Sequence, residues 1–169
     1  MGCRARLESH QEVMVAKVKV SGDIGAPVDV VFDRFTDIHN GPQHVANIRD
    51  VKVLTPGDFG LHTRWHETRE VLGRVDDAEM EVTSFEKEKE YTITHHKAGV
   101  RIDTTFRFEP IPAGTRVTVE FGLNSQGLPP GLLAPIEWEI AGKVRVVLST
   151  DLADLKSSLE QLTTARQRS

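Results

Sequence analysis

Cysteine is nearly absent. Cys3 is the only one in 169 residues, so the chain has no internal disulfide and no metal site built from thiolates. No apolar run approaches the ~18 residues that a membrane span requires. Positive charge is not in excess either: 21 Lys and Arg stand against 25 Asp and Glu, a net charge of -4, which counts against nucleic acid as a partner. The arginines near the N-terminus precede no apolar core, so no secretory signal is expected. Arg6 occupies the position where a myristoylation motif wants Ser or Thr. No glycine-rich phosphate loop and no nucleophile elbow is present. These absences predict a cytoplasmic protein that needs no cofactor.

What is present is an ordinary globular composition, 38% hydrophobic and 27% charged. The length suffices to bury roughly 70% of the unfolded surface in one core. Residues 1–11 read as a loose polar tail and residues 12–166 as one domain. The organising stretch runs from Gly131 to about Arg166. Leu133, Ile136, Ile140, Val144, Val147, Leu148, Leu152, Leu155, Leu159 and Leu162 recur there at spacings of three and four. That is one oily stripe on a helix of roughly 50 Å, longer than a small domain is wide.

Nearly everything before it alternates as strands do. Met14, Ala16, Val18 and Val20 form the first, which Ser21-Gly22-Asp23 ends or bends. Pro27 suits the first turn of a helix whose apolar face is Val28, Val31, Phe32 and Phe35. Asn40-Gly41-Pro42 breaks it, and a short second helix is expected over Gln43–Ala46. Six further strands are expected over 51–54, 61–71, 78–86, 90–96, 101–109 and 115–124. The short separators between them favour hairpins and hence an antiparallel sheet. The long helix then lies across that sheet, with space for a cavity between the two. This is an α+β architecture.

Alternation also sorts the faces. In the stretch 61–71 the even positions, His62 to Glu70, want water, so Leu61, Thr63, Trp65, Glu67, Arg69 and Val71 should point inward. The other inward sets are Ala78, Met80, Val82 and Ser84; Tyr91, Ile93 and His95; Ile102, Thr104, Phe106 and Phe108; and Val117, Val119, Phe121 and Leu123. A bulge would flip any set, and Gly122 is the expected place for one.

Order and wording together resemble the SRPBCC or START-type superfamily, in its polyketide cyclase/dehydrase-like branch. The words are Ala26-Pro27 with Val31-Phe32 and Asp37, then Gly60 to Arg69 as GLHTRWHETR, then Glu79-Met80-Glu81-Val82. Phe108-Glu109-Pro110 with Gly114-Thr115-Arg116-Val117-Thr118, and Asp151-Leu152-Ala153-Asp154-Leu155-Lys156, complete them. The resemblance covers about residues 12–162 and implies a helix-grip fold. In that fold a seven-stranded curved antiparallel sheet wraps a long C-terminal helix, with two short helices between the first two strands. One departure is Pro42-Gln43-His44, where many relatives carry an aromatic after the proline. The implied function is binding of an apolar ligand, lipid- or polyketide-like; some members are enzymes, and fold alone assigns no reaction.

The candidate ligand-binding residues are Trp65, Glu67, Arg69, Met80, Tyr91, His95, Phe106, Phe121 and Asp151. Glu67 and Arg69 sit about 7 Å apart on one strand, close enough to meet. They read either as a polar anchor for a ligand's oxygen or carboxylate, or as a structural ion pair at the cavity rim. Asp151 falls within the oily stripe: either an acid or base with a raised pKa, or a residue that bonds a strand group from the helix flank. His95 is either a wall residue or a catalyst. His62 and His66 would be about 13 Å apart on a strand, too far to share a metal.

The leading expectation is a protein that binds a small hydrophobic or aromatic molecule. The alternatives are a polyketide cyclase, aromatase or dehydrase using the same cavity, and a protein-interaction module, against which the polar strand faces argue. Neither nucleic acid nor a membrane span is expected, and a homodimer is possible.

Overall fold

In a computed structural model, which describes residues 12–71, 73–97, 99–126 and 134–167, seven strands pair in the order β1-β7-β6-β5-β4-β3-β2, every pairing antiparallel. They are β1 (Glu12–Ile24), β2 (Ile48–Val53), β3 (Arg64–Val71), β4 (Arg74–Glu86), β5 (Glu90–Lys97), β6 (Val100–Ile111) and β7 (Gly114–Gln126). Helix α1 (Val28–Thr36), a 3₁₀ turn (Ile38–Asn40) and α2 (Gly41–His44) connect β1 to β2, and α3 (Ala134–Gln167) closes the chain. This is the helix-grip arrangement. The expected tail and the lead-in Leu128-Pro129-Pro130-Gly131 lie outside the described residues. So do Leu133 and the side chains of Ile136 and Leu162.

The stripe on α3 faces the sheet: Leu152 and Leu159 are buried, while Ile140, Val144, Val147, Leu148 and Leu155 are half-buried. Val146, on the opposite side, is exposed. Polar bonds fix the helix along its length. Arg145 Nη1 donates to the Lys19 carbonyl on β1 at 3.0 Å, and the Ala46 amide donates to Asp154 Oδ2 at 3.0 Å. Beneath it, Phe32, Phe35, Phe59, Phe85, Tyr91 and Phe108 form an aromatic cluster with contacting ring centroids 5.1–6.1 Å apart, mostly edge-on or tilted. Edge-to-face contacts of this kind add to the area they bury.

Five expectations are corrected. Ser21-Gly22-Asp23 does not end β1; the three pair with Thr118, Val117 and Arg116, because the long β7 continues opposite them. Gly22 instead admits the helix, since a Cβ there would lie 3.2 Å from Leu152 Cδ2. The expected bulge at Gly122 is absent: that residue pairs in unbroken register with Lys17 and Asp103. The irregularity falls between Met14 and Ala16. There the extra residue turns Val15 and Ala16 inward and leaves Met14 58% exposed.

Leu61 also faces solvent, because His62 takes a left-handed backbone (φ 66°) and the chain turns before β3 begins. The strand spacing assumed for His62 and His66 therefore does not apply, and each faces its own carboxylate, Glu81 and Glu79. Ser84 is exposed because the register shifts between Val82 and Ser84, and Phe85 packs inward in its place. Finally, the second helix lies earlier than expected, at Gly41–His44.

The β6–β7 hairpin is locked under the β1–α1 corner. Thr115, fully buried, donates its hydroxyl to the Ala26 carbonyl at 2.8 Å. Gly114 has φ 137°, and a Cβ there would stand 2.1 Å from the Ile24 carbonyl oxygen and 2.8 Å from the Ala26 nitrogen. Both atoms are backbone and cannot yield. Gly114→Ala is therefore expected to cost about 3 kcal/mol or more, combining left-handed strain with a displaced corner; urea denaturation of the two proteins measures it.

Candidate functional site

Strand β3 carries the polar heart of the molecule. Because alternate residues of a strand share a face, Trp65, Glu67 and Arg69 project together toward α3. The Trp65 indole N–H donates to Glu67 Oε2 at 3.2 Å. Arg69 Nε lies 2.9 Å from Glu67 Oε1, a charge contact whose N–H is not aimed at the oxygen, so Nε makes no hydrogen bond. On the far side Arg69 Nη2 donates to Asp151 Oδ2 of α3 at 2.9 Å. One chain of contacts thus crosses from sheet to helix. Glu67 and Arg69 form an ion pair, and Asp151 bonds a strand group from the helix.

The ion cluster stands in the wall of a cavity of about 390 Å³ between the sheet and α3, within the range of small-molecule sites. All nine candidate residues line it: Trp65, Glu67, Arg69, Met80, Tyr91, His95, Phe106, Phe121 and Asp151. Alternation also placed Ala78, Ile93, Ile102, Thr104, Val119 and Leu123 on its wall, and α3 adds Ile140, Val144, Val147, Leu148 and Leu155. Lys143, about half exposed, belongs to the same lining, so the cavity reaches the surface.

Tyr91 is wall rather than reagent. Its hydroxyl donates to the Phe35 carbonyl at 3.1 Å, its ring stacks on Phe106 at 4.8 Å, and burial pushes its phenol far above the ordinary range.

The electrostatics follow from burial and from Arg69. Burial raises the Asp151 carboxyl above its ordinary value, and the guanidinium opposes this without cancelling it. Arg69 itself is raised: burial works against its charge, and Glu67 and Asp151 outweigh burial. His95 is lowered by burial first and by the Arg69 charge second. A neutral imidazole therefore faces the cavity.

Arg34, Asp37 and His44 also line the cavity, and the sequence reading passed over them as site residues. Arg34 Nη1 lies 2.7 Å from His44 Nδ1, and His44 Nε2 lies 3.6 Å from Asp37 Oδ2. Burial, then Arg34, lowers the His44 pKa. Two signals pointed there: Asp37 was among the words of the resemblance, and His44 stood in its one departure.

The sequence profile of the family described as polyketide cyclase / dehydrase and lipid transport matches residues 15–160. The chain belongs to this family. No curated protein matches the chain. Among solved structures, a START superfamily protein from Mycobacterium smegmatis superposes with TM-score 0.68 at 18% identity, covering 86% of this chain and 98% of the other. The major latex-like protein 151 from Panax ginseng gives TM-score 0.66 at 15% identity, covering 85% and 96%. The di-domain ARO/CYC StfQ of the steffimycin biosynthetic pathway gives 0.74 at 8% identity, covering 88% of this chain and 52% of that one. At such identities the likeness shows the fold alone. Among the described residues no helix is long and apolar enough to cross a membrane.

Because folding lowers the pKa of His95, the unfolded chain takes up its proton first on acidification. The native state is then fully favoured only above the ordinary histidine value of 6.5 and loses stability as the pH falls below it. His44 contributes in the same sense. The melting temperature of wild type should fall between about pH 7 and pH 5, and His95→Gln should fall less steeply over that window. Parallel slopes for the two proteins would contradict the burial of a neutral His95.

Proposed function

We propose that this protein binds a small hydrophobic or aromatic molecule in the cavity between the sheet and α3. The observation that carries the reading is the cavity's composition: a largely apolar and aromatic wall interrupted by polar groups around Arg69 and around Arg34, Asp37 and His44. An apolar ligand gains the burial of its surface there, and the polar groups supply the orientation. Trp65, Met80, Tyr91, Phe106 and Phe121 form the enclosing surface; Glu67, Arg69, His95 and Asp151 form the polar end.

A second reading, cyclase, aromatase or dehydrase chemistry in the same space, draws on one feature. A carboxyl raised by burial, a guanidinium and a neutral imidazole line one cavity, the groups needed to move a proton and stabilise an enolate. Mass spectrometry of a polyketide incubated with the protein separates the two: unchanged substrate that still binds leaves the first reading alone.

Binding is tested by native mass spectrometry of freshly expressed protein, with a thermal-shift screen of lipids and aromatic polyketides. A ligand at a hundredfold excess over its Kd stabilises by about 2.7 kcal/mol, and a domain of this size gains about 2–4 °C per kcal/mol. Val144→Phe places a larger side chain in the cavity from α3. It should abolish the shift while the free variant still melts cooperatively. A clean apo mass with no stabilisation by any compound would overturn the proposal.

A further inference from the structure

The two edges of the sheet are treated differently. Helix α3 lies along β1, and Arg145 takes the Lys19 carbonyl there. Strand β2, at the other end of the order, pairs with β3 alone. Helix α2 lies on the inner face of β2, where a Cβ at Gly41 would stand 3.5 Å from the Ile48 side chain and 3.6 Å from that of Val51. The Leu54 amide donates to the Arg64 carbonyl. Hydrogen-bonded positions in an antiparallel pair recur at every second residue, so Lys52 and Asp50 also turn their backbone groups toward β3. The N–H and C=O of Val51 and Val53 point the other way, to the open side. A lone lysine on such an edge guards it, because copies of the strand then repel. On β2 the lysine has a counterpart. Asp50 and Lys52 are exposed on the outer face, opposite Thr68 and His66, and neither has an ion-pair partner among the described residues. Arg49 is already engaged by Glu70.

We infer that the open edge of β2 pairs with β2 of a second copy of this chain, antiparallel about a two-fold axis at Val51. Val51 then meets the partner's Val51 through two backbone hydrogen bonds, Val53 meets the partner's Arg49, and Asp50 meets the partner's Lys52 twice by symmetry. Asp50 and Lys52 form the kind of cross-strand pair whose side chains lie closest, and unlike charges attract there. A slip must move by two residues to keep the faces matched. One such slip sets Asp50 on Asp50, and the other sets Lys52 on Lys52. Charge therefore selects one register. In that register Leu54, 41% exposed, comes to stand opposite the partner's Ile48.

Sedimentation velocity of the full chain over roughly 5–500 μM covers the range in which so small an interface dissociates. The expected result is a dimer that grows with concentration. Asp50→Lys and Lys52→Asp should each weaken it at least about tenfold, since either change sets like charges in both symmetric contacts. The double swap Asp50→Lys with Lys52→Asp restores unlike pairs, and its affinity should return to within about threefold of wild type. Amide hydrogen exchange gives a second readout: the Val51 and Val53 amides of wild type should slow as concentration rises. A monomer at every concentration overturns the proposal and leaves the edge to a strand of another protein. A dimer indifferent to both single variants, or one in which the Val51 and Val53 amides exchange at an unchanged rate, has its contact elsewhere and overturns it as well. A double variant with wild-type circular dichroism that stays monomeric overturns the register, and the pairing with it.

Discussion

The bond between Arg69 and Asp151 holds the architecture in tension with its cavity. A guanidinium inside a protein is tolerated only when opposite charge lies against it, and here one carboxylate comes from its own strand and the other from α3. The helix must therefore stay close to β3 at Asp151, while the cavity's apolar lining extends along its length. Elsewhere the helix is held by Leu152 packed over Gly22, by Arg145 on β1 and by Asp154 on the Ala46 amide that follows α2. These contacts keep helix and sheet at a fixed separation, so the space between them persists as a cavity rather than closing into core.

Much of this was legible in the residues. Period-two alternation is a strong signal where one strand face is apolar and the other charged, and β3 has the sharpest contrast, with Arg64 and His66 opposite Trp65. That contrast identified Glu67 and Arg69 as charges on the wrong face. Helical spacing identified Asp151 in the same way. Their mutual contact was not legible, because nothing local tells which turn of α3 lies over which residue of β3. What failed did so through backbone irregularity. One extra residue near Val15, one register shift before Ser84 and one left-handed residue at His62 each reversed a face, and periodicity carries no record of them. The second helix shifted by a few residues for a related reason: a four-residue helix has too little length to show a period.

The outer face of the sheet explains why the chain is organised around its interior. Thr83, Thr94, Asp103 and Asn124 hydrogen-bond in series across four strands, and Arg107 bridges Glu90 and Glu120. Such ladders satisfy the face that meets water and leave it little apolar surface to offer a protein partner. The apolar residues of the strands are turned instead toward the cavity.

A double-mutant cycle on Arg69→Gln and Asp151→Asn, read by urea denaturation, tests most directly whether this contact joins sheet to helix. The predicted result is a coupling energy of about 1–3 kcal/mol, as for a partly buried charge pair. Single costs that simply add, with coupling within about 0.3 kcal/mol of zero, would contradict a structural bond between β3 and α3.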